Sequence, residues 1–123
     1  MEDYAVVYQS RSGSPHAPWL EPDVCHHIRG LAARGVRDVV VSPLGFVSDH
    51  MEVLFDLDIE ARETAEEAGV NLVRAGTVGT HPAFVAMIRE LIQERLDPSL
   101  PRRSLGRFGP SHDVCQSGCC LPG

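Results

Sequence analysis

Apolar positions along the chain repeat with two periods, and together they lay out an α/β order. Tyr4-Ala-Val-Val-Tyr8, Asp38-Val-Val-Val41 and Val70-Asn-Leu-Val-Arg74 are short, β-branched runs that read as strands buried in a parallel sheet, the first of them central. Between them lie helical patterns. Glu21-Pro22-Asp23 starts one helix, which buries Val24, Ile28, Leu31 and Ala32 and ends at Gly35. A second helix is capped by Ser48 or Asp49 and stops at Gly69, a residue suited to a left-handed cap. A third has Pro82 at its first position after Thr80 or His81, points Phe84, Val85, Ile88, Leu91 and Ile92 at a core, and runs to about Leu96. The β-α-β-α-β-α order implies a parallel sheet of three to four strands with right-handed crossovers, flanked by helices.

The stretch from Ser42 to Glu60 carries the most chemistry. A strand, a Pro/Gly turn and a helix follow one another there, and the strand's C-terminal end is where open α/β sheets place their sites. At 100° per residue, Leu54, Leu57, Ala61, Ala65 and Ala68 share one face, while Asp49, Glu52, Asp56, Glu60 and Glu63 form an acidic stripe on another. Asp58 has Arg62 four residues on, whereas Glu52 and Asp56 each face another acid. Stacked like charges cost a few tenths of a kcal/mol per pair, roughly. The stripe reads either as a solvated face or as a line of carboxylates leading to His50, suited to passing protons or hard divalent cations.

Composition narrows the classes of function. A length of 123 residues with 43% hydrophobic content suits one small domain with a real core. The formal net charge of -6 argues against nucleic-acid partners, which need a basic surface. All eleven basic residues are Arg. No apolar run is long enough to span a bilayer and no signal-peptide pattern is seen, so a cytoplasmic protein is expected.

Two irregular segments carry further candidates. The loop from Gln9 to Trp19 is rich in Gly, Pro and Ser; in it Arg11 can bind a carboxylate bidentately, Ser10 and Ser12 can donate, and Trp19 is either a flat apolar contact or a core plug. His26 and His27 are adjacent and point about 100° apart, so they read as surface residues, and Cys25 reads as a small buried residue. From Asp97 the prolines and glycines break every period, and residues 97–123 read as an irregular tail ending in a C-x3-C-C group: Cys115, Cys119 and Cys120. Three thiols this close suit an iron-sulfur cluster or zinc, with Cys25, His112 or a residue outside the chain as a fourth ligand, or else they belong to an oxidisable tail.

Gln9-Ser-Arg11, Pro18-Trp-Leu20, Pro43-Leu-Gly-Phe-Val-Ser-Asp-His-Met-Glu52, Leu57-Asp58 and Pro82-Ala-Phe84 stand in the order found in one family. Over residues 4 to 96 the chain resembles the C-terminal half of ferrochelatase, especially the actinobacterial form that metallates coproporphyrin III. The resemblance implies a chelatase-like (Rossmann-like) half-domain over residues 1–96 followed by the tail. It also implies a lyase of heme biosynthesis that inserts Fe(II) into a porphyrin, giving coproheme from coproporphyrin III or protoheme from protoporphyrin IX. By the same resemblance Glu52 is the catalytic carboxylate that handles protons or iron, His50 stands beside it, and Asp56 and Glu60 continue an acidic path. Trp19 and Phe46 would lie near the macrocycle, Gln9, Ser10 and Arg11 near its propionates, and Cys115, Cys119 and Cys120 would ligate a 2Fe-2S cluster. Ferrochelatases have two similar halves with the cleft between them, and the resemblance covers only the second. The expectation is therefore a piece of a longer protein, with a homodimer of half-sized chelatase domains as an alternative. A non-enzymatic iron-sulfur or zinc module and an inactive remnant are the readings outside catalysis.

Overall fold

The computed structural model describes residues 4–10, 14 and 16–120. It divides into two compact units, residues 1–80 and 81–123.

In the first unit, helix α1 (Val24–Ala33) begins where the Asp23 carboxylate accepts from the His26 N–H, satisfying one of the free donors of the first turn. Strand β1 (Asp38–Val41) follows. It pairs in parallel with β2 (Asn71–Arg74), in the register Asp38 to Asn71 through Val41 to Arg74, and the Asn71 side chain donates to Asp38 at 3.0 Å. Between the strands runs a helix in three geometries: α2 (Met51–Val53), a π-helical segment (Leu54–Glu60) and α3 (Ala61–Ala68). It ends at Gly69, whose φ of 70° places it in the left-handed region, where a Cβ would be strained. The α/β expectation of a parallel sheet flanked by helices holds.

The π segment explains which side chains reach the core. Its i→i+5 bonding is seen where the Ala61 N–H donates to the Asp56 carbonyl. In an α-helix a four-residue step overshoots a full turn by about 40°. The wider π turn reduces that drift, so positions four apart stack along the axis. Val53, Leu57 and Ala61 thus form one buried row, which with Ala65 packs on Val24, Ile28 and Val70. Fully burying a residue such as Leu57 contributes about 1.5–3 kcal/mol. Leu54, expected in this row, is 39% exposed, and Val53 takes its place, because the face assignment assumed α geometry throughout.

Four other expectations are corrected. Among the described residues the sheet has two strands, not three or four. Tyr4–Tyr8 is not a strand: Tyr8 makes one isolated parallel bridge to Asp23, donating to the Pro22 carbonyl and accepting from the Val24 N–H, so its hydrogen bonds go to the start of α1. Both strands are covered on one face only, with Val39 and Val41 turned inward and Val40 and Val73 exposed. Finally, the helix cap is His50, not Ser48 or Asp49, and it makes no side-chain capping bond.

The second unit contains α4 (Pro82–Leu96), with Pro82 at its start and the His81 Nδ1 accepting from the Ala83 N–H. Its boundaries match expectation. Its apolar set does not: Val85, Ile88, Leu91 and Ile92 are exposed and no α4 residue is buried, since among the described residues this unit has no other helix or strand to cover them. Residues 97–120 are irregular; Arg95 and Arg102 both pair with Asp113, which ties this segment to the end of α4. No helix among the described residues is long and apolar enough to cross a membrane.

Candidate functional site

The C-terminal ends of β1 and β2 lead into the turns at 42–50 and 75–80. These turns are joined to the sheet and to each other by the Ala75 N–H on the Val41 carbonyl and the Gly79 N–H on the Val47 carbonyl. That end of a parallel sheet collects loops and helix starts, and here it collects the chemistry as well.

Stacking in the π segment gives the helix three rows beyond this point. Beside the buried row of Val53, Leu57 and Ala61 run the carboxylates of Glu52, Asp56 and Glu60; beyond them, on the side away from the core, run Met51, Phe55 and Ile59, all exposed. An acidic row with an apolar row alongside can meet a flat apolar ligand and a cation together. Asp56 is half-buried. Its Oδ2 accepts from Ser10 Oγ and, at 3.4 Å, from Gln9 Nε2, so the loop after Tyr8 and the helix meet at this one carboxylate. Ser10 does this with a φ of 59°, a left-handed conformation that non-glycine residues seldom adopt and that concentrates at functional sites. His50 packs edge-on against Phe46, with ring centroids 4.4 Å apart and planes at 85°, which fixes the imidazole at the mouth of the turn.

The remaining acids near the site are not free. Arg74, at the end of β2, grips Asp58 through Nε at 2.6 Å and Nη2 at 2.9 Å, and Asp49 through Nη1 at 3.1 Å and Nη2 at 3.3 Å. The hydrogen bonds that it donates to Asp58, above all, raise the guanidinium above its ordinary range. Arg62, expected as the partner of Asp58, lies 3.9 Å away and is more than half exposed. Asp49 therefore leaves the acidic stripe and becomes an anchor. Sequence reasoning passed over Arg74; its place as the last residue of a strand at the site end of the sheet was the available signal.

The structure thus joins Gln9, Ser10 and Asp56 in one cluster and Phe46 and His50 in another. Glu52 and Glu60 lie exposed along the row, and Trp19 is 40% exposed. Arg11 and Ser12 lie outside the described residues. His26 is exposed, and His27 and Cys25 are half-buried; burial raises the Cys25 thiol, and its hydrogen bond with Thr64 partly opposes the rise. A shallow depression of ≈ 280 Å³ lined by Arg62, Glu66 and Asn71 opens at the N-terminal end of β2, the opposite end of the strand from this chemistry.

In the tail, Cys115, Cys119 and Cys120 are exposed and outside any disulfide. Cys119 and Cys120 bring their sulfurs to 3.7 Å, and hydrogen bonding with Cys115 first, then Cys120, raises the Cys119 thiol. The donor type suits a cluster, yet among the described residues no three His, Cys, Asp or Glu side chains are gathered to hold a metal ion, so the arrangement does not fit one as it stands.

The chain is 54% identical over 121 residues to the coproporphyrin III ferrochelatase of Streptomyces griseus subsp. griseus, covering 95% of this chain and 32% of that protein. It is 55% identical over 117 residues to the coproporphyrin III ferrochelatase of Frankia alni, covering 95% and 30% respectively. The ferrochelatase of Rhodopirellula baltica is 53% identical over 120 residues, covering 97% and 34%. The chain therefore spans about a third of the length of these relatives, and the likeness continues into the tail. Residues 1–96 match the family model for ferrochelatase, and the chain belongs to the ferrochelatase family.

Proposed function

We propose that this chain supplies the carboxylate-bearing wall of a ferrochelatase that inserts Fe(II) into coproporphyrin III, a step of heme biosynthesis. The observation that carries the reading is the row of exposed Glu52, half-buried Asp56 and exposed Glu60, flanked by Met51, Phe55 and Ile59 and headed by a fixed His50. The names of the relatives favour coproporphyrin over protoporphyrin IX as substrate.

Insertion replaces two pyrrole N–H protons by one Fe(II), so two protons must leave the macrocycle. Glu52, at the head of the row, accepts a pyrrole proton and offers an oxygen to the incoming cation. His50 stands two positions away and relays the proton. Asp56, held by Ser10 and Gln9, and Glu60 extend the row as a path for protons or ferrous iron. Phe46 and Trp19 supply flat apolar contact to the ring, and Gln9, Ser10 and Arg11 are assigned to its propionates by their donor chemistry. Residues 1–96 form the chelatase domain and residues 97–123 its tail, and the protein works in the cytoplasm. A second chelatase half completes the cleft, provided by the same protein or by a second copy of this domain.

Glu52→Gln in the whole enzyme is expected to lower the rate of iron insertion at least a hundredfold, roughly the scale of a lost general base, with the far-ultraviolet circular dichroism unchanged. Near-normal turnover by folded protein would sink the role. In the tail, we assign Cys115, Cys119 and Cys120 to a 2Fe-2S cluster on their thiol donor type alone; the three must draw together from their present arrangement to ligate it. Iron, labile sulfide and visible absorption after anaerobic purification test it; protein free of iron and sulfide would remove the assignment.

A further inference from the structure

The guanidinium of Arg74 uses all its N–H groups. Five donors are available on an arginine, and five contacts receive them: two on Asp58, two on Asp49 and one, from Nη1, on the Ala75 carbonyl at 3.4 Å. The side chain is 14% exposed, against 55% for Arg62, so solvent screens this pair of forks far less than a surface pair.

What the forks join matters more than their strength. Asp49 immediately precedes His50, and Asp58 lies within the π segment, beyond Asp56. Arg74 itself is fixed by β-pairing to Val41, at the end of the strand that leads into the 42–50 turn. One side chain therefore ties three things together: the end of the sheet, the residue before the helix cap, and the fifth residue of the π segment. Three of the residues proposed to handle protons or iron lie between its two carboxylates, His50, Glu52 and Asp56, and Glu60 follows just beyond. The helix start is otherwise weakly defined, because its cap makes no side-chain bond. The clamp also removes two acids from the field of the row, leaving Glu52 and Glu60 exposed, with Asp56 between them held by Ser10 and Gln9.

We propose that Arg74 is the positioning residue of this site: by forking Asp49 and Asp58 it sets the start of the helix and the register of the π segment, and through them the placement of His50 and Glu52. The proposal rests on the reading of those two residues as the reacting face. A lysine in its place carries the same charge but one compact ammonium with three donors, which cannot fork two carboxylates. Position, not charge, is thus the property under test.

Arg74→Lys and Arg74→Gln, made in the full chain, are compared with the parent protein by amide hydrogen exchange and by proton NMR of the His50 ring at a fixed pH above 8. Both variants are expected to exchange at least tenfold faster over residues 50–58, with α1 and the β1 amides unchanged. The shift that the Phe46 ring imposes on the His50 protons is expected to collapse. Rescue by Arg74→Lys, or faster exchange spread evenly over the whole first unit, would overturn the proposal, the second outcome marking Arg74 as a general stabiliser. A double variant, Asp49→Asn with Asp58→Asn, is expected to reproduce the local pattern, and a quiet pattern there would also overturn it. In the iron-insertion assay the arginine variants are expected to lose at least tenfold in kcat, with the porphyrin KM within threefold. The exchange and ring-shift measurements need no porphyrin. A parent protein that fails to bind porphyrin, with the local exchange pattern intact, therefore counts against the chelatase reading while leaving the clamp standing.

Discussion

Cys25 is placed in sequence as an ordinary small residue of α1, and its surroundings give it a measurable signature. Burial is the main force on its thiol and raises it, Asp23 and Glu60 push the same way, and the hydrogen bond with Thr64 is the largest opposing influence. Thr64 is itself buried at 6% exposure, with its hydroxyl in reach of Arg29 at 3.4 Å. A raised thiol holds its proton to higher pH in the folded chain than in the unfolded one. Its contribution to stability is therefore complete below the ordinary thiol value and is lost as pH rises through the raised one. Reactivity follows the thiolate. Thr64→Val removes the opposing hydrogen bond at nearly constant volume, so iodoacetamide is expected to alkylate Cys25 several-fold more slowly at pH 8 in this variant. Peptide mass mapping separates Cys25 from the tail cysteines, and equal or faster labelling would contradict the account.

The elements show where local pattern suffices and where it stops. β1, β2, the Gly69 stop and the whole of α4 could be read from the sequence, because β-branched runs, a left-handed glycine and a proline at a helix start are local signals. The π segment could not. A hydrophobic pattern with four-residue spacing is read as a drifting α-helical face, and only the carbonyl to which the Ala61 N–H donates reveals the wider turn. That difference exchanged Leu54 for Val53 in the core and straightened the acidic row. Tyr4–Tyr8 had the composition of a central strand, but its hydrogen bonds went to the segment before α1, a choice made by tertiary pairing. Within the candidate site, Glu52, His50, Asp56 and Glu60 were singled out in sequence by their motif and its helical continuation, and the structure adds the contacts of Asp56 with Gln9 and Ser10, which lie in a loop marked as a candidate on composition. Arg74 was missed because its two partners lie 25 and 16 residues away, beyond any helical spacing rule.

At the scale of the molecule, charge is the property that acts over distance. The chain carries a formal net charge of -6, with every cation an arginine, and the best-buried cation among the described residues is spent on Asp49 and Asp58. On the proposed reading, the negative charge of this wall draws in a divalent cation and opposes a porphyrin that carries propionates. Both effects decay with screening, since the Debye length falls from about 30 Å at 0.01 M salt to about 8 Å at 0.15 M. Raising ionic strength across that range is expected to increase the KM for Fe(II) several-fold and to lower the KM for coproporphyrin III. The two shifts have opposite signs because one field acts on ligands of opposite charge. Asp56→Asn and Glu60→Gln together should flatten the iron dependence while leaving part of the porphyrin dependence, which arises from the whole surface. Steady-state kinetics at four salt concentrations, with each substrate varied in turn, measures both slopes. If the two KM values move in the same direction, the acidic row does not act on iron through its charge, and its role contracts to the proton transfer assigned to Glu52.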